Sequence, residues 1–183
     1  AVKPLPQLTL KAILLGLILS MVLAGANAYL GLFAGLTVSA SIPAAVISMA
    51  ILKLFKESNI LENNIVQTAA SAGESLAAGV IFTLPALIIL GYWNVFEYFW
   101  VSIIAGLGGL LGVLFTIPLR RSLIVEEQLT YPEGTATAEV LRVGESPGQG
   151  AKFLAIAAIL GALTKFAETG LRLWAGTAQA ATY

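Results

Sequence analysis

The chain of 183 residues contains no cysteine, no histidine and no aspartate. Without cysteine and histidine, this stretch has no disulfides, no thiolate or imidazole metal sites, no histidine proton relays and no His-based or Cys-based catalytic triads. Any proton chemistry within it must use carboxylates. Charge is also scarce: 11% of the residues are charged, against about 25% in soluble domains. Ten basic residues balance ten acidic ones, which argues against a nucleic-acid-binding protein.

Hydrophobic residues make up 58% of the chain, and so few charged residues cannot cover the surface of a water-soluble protein. The lipid bilayer is the expected solvent. No short apolar stretch ends in a convincing cleavage site, which argues against a signal peptide. Because the chain begins at Ala1 rather than Met, we expect it to be part of something longer. The predicted fold is all-α, a polytopic integral membrane helix bundle with four to six transmembrane helices in this stretch.

Long uncharged runs predict a four-helix N-terminal membrane bundle over residues 1–121. The run of 41 residues from 12 to 52 is about twice the ~20 needed to cross a bilayer. It predicts helices over about 11–30 and 35–52, joined by a turn near 31–34, with Pro43 inside the second helix as a kink or short break. The third and fourth predicted spans cover residues 75–96, which Pro85 interrupts, and 98–119.

Basic residues predict the orientation of this arrangement. Six of them lie on one side of the four-span model: Lys3, Lys11, Lys53, Lys56, Arg120 and Arg121. The turns at residues 31–34 and 91–97 contain no lysine or arginine. The positive-inside rule therefore places the N-terminus and the segment 122–150 in the cytoplasm.

Small residues are frequent in the uncharged helices. Gly31 with Gly35, and Gly108 with Gly112, form two GxxxG pairs that predict close approach of helix backbones. A role in shaping a substrate path is the alternative interpretation.

The segment from Asn63 to Glu74 has one polar helix face. At ~100° per residue, four polar side chains fall within an ~80° wedge of that face, with Asn63 at its edge; they are Asn64, Gln67, Ser71 and Glu74. Ala69, Gly73 and Ala77 form a small-residue packing stripe on another side. Glu74 is expected at or below the membrane surface. It either caps the third span and pairs with a basic residue, or serves as a substrate contact or proton-carrying carboxyl.

A hydrophilic segment over residues 122–150 contains a second helix signal. Thr130 and Glu133 have capping-box spacing, and Pro132 suits a first helical turn. Together with stop signals at Gly144 and Pro147, they predict a short helix over about 131–143. This helix is either a plain cytoplasmic connector or an element that lines the cytoplasmic mouth of the bundle.

Residues 151–183 form the predicted fifth membrane helix region. Only 12 uncharged residues separate Lys152 from Lys165, so whether this region crosses completely is left open. Lys165, Glu168 and Arg172 are three and four residues apart, which predicts an ion-pair ladder on one helix face. Binding of a substrate carboxylate by Lys165 or Arg172 is the alternative.

Four ordered motifs resemble the N-terminal part of the oligopeptide transporter (OPT) family. They are NAYLGL at 27–32, TVSASIPAA at 37–45, ENNIVQT at 62–68 and LTYPEGTATAE at 129–139. The branch they resemble includes bacterial members and the plant yellow-stripe-like metal-chelate carriers. Family members are much longer than this chain, so the resemblance implies an N-terminal fragment.

The resemblance implies a secondary active transporter of the cell membrane, without enzymatic activity or cofactor, that takes up oligopeptides or metal chelates with protons. The implied partners are the lipid bilayer, the remainder of the transporter chain, the substrate and protons, while homo-oligomerisation stays open. Combining the motifs with the polar face gives the candidate substrate-path or proton-coupling residues: Asn27, Tyr29, Asn63, Asn64, Gln67, Ser71, Glu74, Tyr131, Glu133, Thr135 and Glu139.

Two other classes of function remain open at this stage. A membrane-embedded enzyme, such as a lipid-linked transferase, would need convergent carboxylates, for which Glu126, Glu127 and Glu133 are available. A non-catalytic assembly domain would instead have its polar faces filled by side chains of neighbouring helices.

Overall fold

The computed structural model describes residues 5–55, 58–145 and 149–173, which form helices joined by short connections. The helices are α1 (Leu10–Ala34), α2 (Ser41–Leu52), α3 (Ile60–Thr83), α4 (Pro85–Ile89), α5 (Tyr98–Leu119), α6 (Pro132–Glu145) and α7 (Gln149–Thr169). A π-helical segment, Arg120–Glu126, continues α5. The predicted all-α fold is confirmed. Lys3, Lys56 and Pro147, used in the sequence argument, lie outside the described residues.

Three stretches of the described chain are long and apolar enough to cross a membrane, judged by length and composition. They are Leu10–Ala34, Ile60–Ile89 and Tyr98–Glu126. The chain divides into two compact units, Ala1–Leu141 and Arg142–Tyr183. The first unit contains all three stretches.

The first helix extends further than expected. Thr9 caps its start by accepting a hydrogen bond from the Ala12 N–H, and Gly35 ends it in the left-handed conformation with φ of +70°. The turn predicted at residues 31–34 is therefore displaced to Gly35, where glycine adopts positive φ without strain. Gly31 packs closely, as its GxxxG pair predicts, because a Cβ at this position would overlap the Ile81 side chain, whereas a Cβ at Gly35 would meet nothing within 4 Å.

The second predicted span, 35–52, is not a single helix. Residues 35–40 are non-helical, and α2 contains only 12 residues. That corresponds to about 18 Å, well short of the ~30 Å hydrocarbon core. Pro43 is the third residue of α2, so it lies in the first turn, where proline disrupts no interior hydrogen bond. The kink or short break expected at Pro43 within the helix is therefore displaced, because the break lies at residues 35–40 and precedes α2.

The third predicted span begins much earlier than residue 75. Asn59 caps α3 by accepting hydrogen bonds from the N–H groups of Leu61 and Glu62. The helix then runs from Ile60, and with α4 it forms a 30-residue apolar stretch ending at Ile89. Glu74 consequently lies near the middle of this stretch, not at its surface end.

Helices α1 and α3 run parallel in close contact. Gly16 packs against Val66 and Ala69, and a Cβ at Gly73 would overlap Ser20. The contacts advance in the same direction along both helices, which defines their parallel arrangement. The predicted packing role of Ala69 and Gly73 is confirmed, since small residues allow the two backbones to approach.

The second GxxxG pair does not behave as expected. Within the described residues, a Cβ at Gly108 or Gly112 would meet nothing within 4 Å. Gly109 instead faces the side chain of Leu76 on α3. The packing contact of α5 on α3 thus uses the glycine next to the predicted pair.

Helices α2 and α5 both run opposite to α3. Ser41 at the start of α2 lies beside Ser71, and Ser48 further along α2 bonds to Asn63. Helix α5 follows α4 after residues 90–97 and returns along α3. The end of this unit at which α1 and α3 begin, called the Leu10 end, therefore also holds the C-terminal ends of α2 and α5. The opposite end is called the Ala34 end.

Helix α6 corresponds to the short helix predicted over 131–143. It packs on α2 through an apolar cluster formed by Leu141, Ala45 and Met49. Its first turn carries Glu133, whose carboxylate accepts a hydrogen bond from Ser39. Within the first unit, α2 and α6 therefore lie side by side with their N-terminal ends close together.

The second unit contains α7. Lys165 Nζ lies 2.9 Å from Glu168 Oε1, forming an i,i+3 ion pair. Arg172 lies beyond the end of the helix, with φ of +53°. The predicted three-residue ladder therefore reduces to the Lys165–Glu168 pair on the helix.

Candidate functional site

The non-helical residues 35–40 are held against α1 by one side chain. Asn27 Nδ2 donates a hydrogen bond to the Val38 carbonyl, and Asn27 Oδ1 accepts one from the Val38 N–H, both at 2.9 Å. Asn27 itself is buried. Because it lies two turns before the end of α1, this pairing draws the chain back from the Ala34 end into the unit.

The start of α2 consequently lies deep within the unit. Ser41 Oγ is 3.2 Å from Ser71 Oγ, and the Ala40 N–H hydrogen-bonds to the Glu74 carboxylate. Ser39 Oγ accepts a hydrogen bond of 3.3 Å from the Ser41 N–H. The positive end of the α2 dipole thus faces a carboxylate, an arrangement that stabilises negative charge.

A second carboxylate comes from the first turn of α6. Ser39 donates its hydroxyl hydrogen bond to Glu133, and Glu133 lies close enough to Glu74 for the two carboxylates to repel each other. We call the group formed by Ser39, the Ala40 N–H, Ser41, Ser71, Glu74 and Glu133 the central cluster. Two neighbouring carboxylates favour a shared proton or a bound cation, because either relieves the repulsion between like charges.

A cavity of about 180 Å³ adjoins the non-helical segment. Its lining comes from α1, from the non-helical segment itself and from one residue of α2: Leu23, Ala26, Asn27, Leu30, Val38, Ser39, Ala40 and Pro43. The wall is mostly apolar, and Asn27 and Ser39 contribute its polar side chains.

Several predicted residues of α1 and α3 lie away from the central cluster. Tyr29 is 70% exposed and stacks on Phe33 with ring centroids 5.9 Å apart. Asn63 accepts a hydrogen bond of 2.9 Å from Ser48 and so joins α2 to α3. Asn64 is exposed, and the Gln67 amide oxygen lies 3.4 Å from the hydroxyl of its neighbour Thr68.

The four residues predicted from the 129–139 motif have contacts that differ from one another. Thr135 bonds to the carbonyl oxygens of Tyr131 and Pro132 in its own helical turn. Tyr131 lines a cavity with the end of α5, and Glu139 is exposed on α6. Glu133 is the member of this motif that reaches the central cluster.

Sequence reasoning quoted Ser39 and Ser41 within a motif but did not select them as site residues. The sequence predicts both serines inside a helix that starts at residue 35. Proline is favoured in the first turn of a helix, so Pro43 was the available signal that α2 begins near Ser41. A start there leaves residues 35–40 free to form a break.

Glu62 is a second residue that sequence reasoning passed over. Its side chain is fully buried, accepts a hydrogen bond of 2.5 Å from Thr9 and lies 3.1 Å from Lys11 Nζ. Asn59 and Glu62 have capping-box spacing, which would have predicted the start of α3 at Ile60. We call the contact among Thr9, Lys11, Asn59 and Glu62 the N-terminal clamp.

Glu126 and Glu133, two of the carboxylates considered for a membrane-embedded enzyme, have different partners. Glu126 pairs with Arg121 at 2.9 Å, whereas Glu133 bonds to Ser39. Across residues 5–55, 58–145 and 149–173, no group of three or more potential ligands is placed to hold a metal ion.

Comparison with known proteins decides the family. Residues 7–180 match the family described as OPT oligopeptide transporter protein. The chain belongs to the OPT family. A relative from Haemophilus influenzae named "Putative oligopeptide transporter" is 51% identical over 154 residues, covering 83% of this chain and 24% of the relative. The "Metal-nicotianamine transporter YSL3" of Arabidopsis thaliana is 28% identical over 168 residues, covering 74% of this chain and 24% of the relative.

The OPT assignment confirms the resemblance carried by the four motifs. The chain spans about a quarter of the length of these two relatives. Both relatives are named as transporters, and the long apolar helices are those of a membrane protein. No solved structure matches the chain significantly.

Proposed function

We propose that this chain is the N-terminal part of a cell-membrane transporter that takes up small peptides or metal chelates together with protons. The carrying observation is that α2 and α6 both begin beside Glu74, near the middle of the Ile60–Ile89 stretch. In secondary transporters, discontinuous helices that end near the bilayer midplane form substrate and ion sites. The central cluster is thus our candidate for the translocation path.

Glu74 is the proposed proton carrier. A carboxylate within the membrane is costly unless it is neutralised, paired or exposed to an aqueous cavity. Its carboxylate neighbour Glu133 has the same sign, so a proton bound to either residue relieves their repulsion. Binding and release of this proton would then couple the charge of the cluster to the transport cycle.

The proposed orientation puts the N-terminus in the cytoplasm. Lys11 begins α1, Lys53 follows α2, and Arg120 and Arg121 follow α5, which places all four at the Leu10 end. The connections at residues 35–40 and 90–97 have no lysine or arginine. This distribution supports a cytoplasmic Leu10 end under the positive-inside rule.

The test is uptake by the full-length transporter in proteoliposomes. An inward proton gradient should drive accumulation of a labelled tripeptide or of an iron chelate. We expect Glu74→Gln to reduce proton-driven accumulation by about a hundredfold, the low end for loss of a proton-transferring group, while thermal unfolding in detergent changes little. Glu97→Gln, at an exposed position before α5, is the matched control and should transport normally.

Each outcome separates the proposal from its alternatives. Uptake of neither substrate class by the wild-type protein would contradict the transport proposal. A Glu74→Gln variant that unfolds at much lower temperature would assign Glu74 a structural role. Normal proton-driven uptake by that variant would remove Glu74 from the coupling step.

A further inference from the structure

The amide of Asn27 is fully engaged by the backbone of one residue. Asn27 is 7% exposed, its Nδ2 donates to the Val38 carbonyl, and its Oδ1 accepts from the Val38 N–H. Both polar atoms of the side chain therefore have protein partners. This geometry suits a residue that holds the chain in place better than one that binds substrate.

The three residues after Val38 each supply a contact of the central cluster. Ser39 bonds to Glu133, the Ala40 N–H to Glu74, and Ser41 to Ser71. Ser39 and the Ala40 N–H follow Val38 directly along the backbone, so the position of Val38 fixes where both groups lie. A slip by one residue at Val38 would consequently turn the Ser39 hydroxyl away from Glu133 and move the Ala40 N–H off Glu74.

We propose that Asn27 is a positioning residue that sets the register of residues 38–41 and thereby directs Ser39 and the Ala40 N–H to the two carboxylates. Asn27 acts through Val38 and does not touch the substrate. The effect on transport rests on the function proposed above, whereas the effect on register is independent of it.

Hydrogen–deuterium exchange of the full-length protein in detergent tests the register directly. Asn27→Ala removes both hydrogen bonds to Val38, so exchange of the peptide covering residues 35–41 should accelerate by about tenfold or more. Protection within α1 and α3 should persist. Asn94→Ala, at an exposed position between α4 and α5, should leave this peptide unchanged.

Two exchange results would overturn the proposal. Unchanged exchange at residues 35–41 in Asn27→Ala would show that Asn27 does not hold the segment. Loss of protection throughout α1 and α3 would show that Asn27 supports the whole helix pair and not the segment.

Transport kinetics then distinguish positioning from substrate binding. Asn27→Asp keeps an acceptor for the Val38 N–H but loses the donor to the Val38 carbonyl. It should lower the maximal uptake rate by about tenfold, since about 1.4 kcal/mol of positioning is lost, with little change in KM. Its proton dependence should resemble that of Glu74→Gln, and the double variant should show no further loss.

A raised KM at an unchanged maximal rate would identify Asn27 as a substrate ligand and overturn the positioning role. Fully additive losses in the double variant would likewise contradict action through the central cluster. If the wild-type protein transports neither substrate class, the proposed function fails, and the exchange measurement still decides the role of Asn27.

Discussion

Two glutamates in α3 have contrasting surroundings although they lie on one helix. Glu62 is fully buried beside Thr9 and Lys11 in the N-terminal clamp. Asn59 strengthens this clamp, because its Nδ2 donates to the Pro6 carbonyl at 3.0 Å while its Oδ1 caps α3. Glu74 is only partly buried and has another carboxylate nearby. Glu62 therefore joins α3 to the start of α1, whereas Glu74 lies beside a second carboxylate at the start of α2.

Removal of the clamp carboxylate should therefore affect stability. Glu62→Ala deletes the acceptor that Thr9 and Lys11 share, and disrupting a buried ion pair costs about 3 kcal/mol at the low end of the measured range. We expect a lower unfolding temperature in detergent, measured by tryptophan fluorescence. Glu127→Ala, at an exposed position after the π-helical segment, is the control and should unfold like the wild type. Equal unfolding temperatures for the two variants would contradict the clamp.

The helices fall into two kinds according to how they are held. Helices α1 and α3 are long and approach through small residues, with Gly16 beside Ala69 and Gly73 beside Ser20. Helices α2 and α6 are short, with 12 and 14 residues, and pack through the Ala45, Met49 and Leu141 cluster. The long pair provides a fixed frame, against which the short helices place their first turns.

Close packing of this frame predicts a position-specific response to added volume. Gly73→Ala puts a methyl group against Ser20, and overpacking of this kind costs about 1–3 kcal/mol. Gly79→Ala is a matched control on the same helix, because a Cβ there would meet nothing within 4 Å; it should be neutral or gain up to ~1 kcal/mol from helix propensity. Thermal unfolding of both variants checks the difference, and a Gly73→Ala variant as stable as Gly79→Ala would contradict it.

At the scale of the whole molecule, the segments that run between the two ends of the first unit are built in two different ways. Helix α1, the α3 and α4 stretch and α5 cross as long helices. The return from α1 to α3 combines residues 35–40 with the short helix α2. A crossing built in this way leaves backbone groups unpaired by helical hydrogen bonds, and Asn27 satisfies two of them at Val38.

This topology can be tested because the chain contains no cysteine. In a full-length protein cleared of any other cysteines, Leu36→Cys and Leu54→Cys should react with impermeant thiol reagents from opposite sides of the membrane. Both positions are exposed. Glu127→Cys should label from the same side as Leu54→Cys. Labelling of positions 36 and 54 from one side would show that residues 35–52 do not cross.

Much of the helical organisation could be predicted from local signals. Charged residues bound the uncharged runs, so the start of α1 and both ends of α5 are predicted to within one residue, and the Thr130–Pro132–Glu133 pattern locates α6. The break at residues 35–40 could not be predicted from hydropathy, since the run from 12 to 52 is uncharged throughout. Apolar residues in an extended chain and in a helix look alike on that measure.

The candidate site was predicted only in part for the same reason. Ser71 and Glu74 were selected because they share one helix face, and Glu133 because of its motif. Their meeting with Ser39 depends on a contact between residues 94 positions apart, which no local periodicity reports. Tyr29 and Asn63 also belong to the family motifs, but they contribute to other contacts. The Tyr29 ring stacks on Phe33 of the same helix, and Asn63 joins α3 to α2.

The sequence by itself determined that this chain is a helical membrane protein of the OPT family, because apolar runs and ordered motifs are local properties. Only the tertiary structure decided that α2 and α6 begin beside Glu74 and that Glu62 lies in a clamp. The reason is that Ser39, Glu74 and Glu133 are far apart along the chain. They come into contact only after α1 and α3 have packed through their small residues and the short helices have packed beside them.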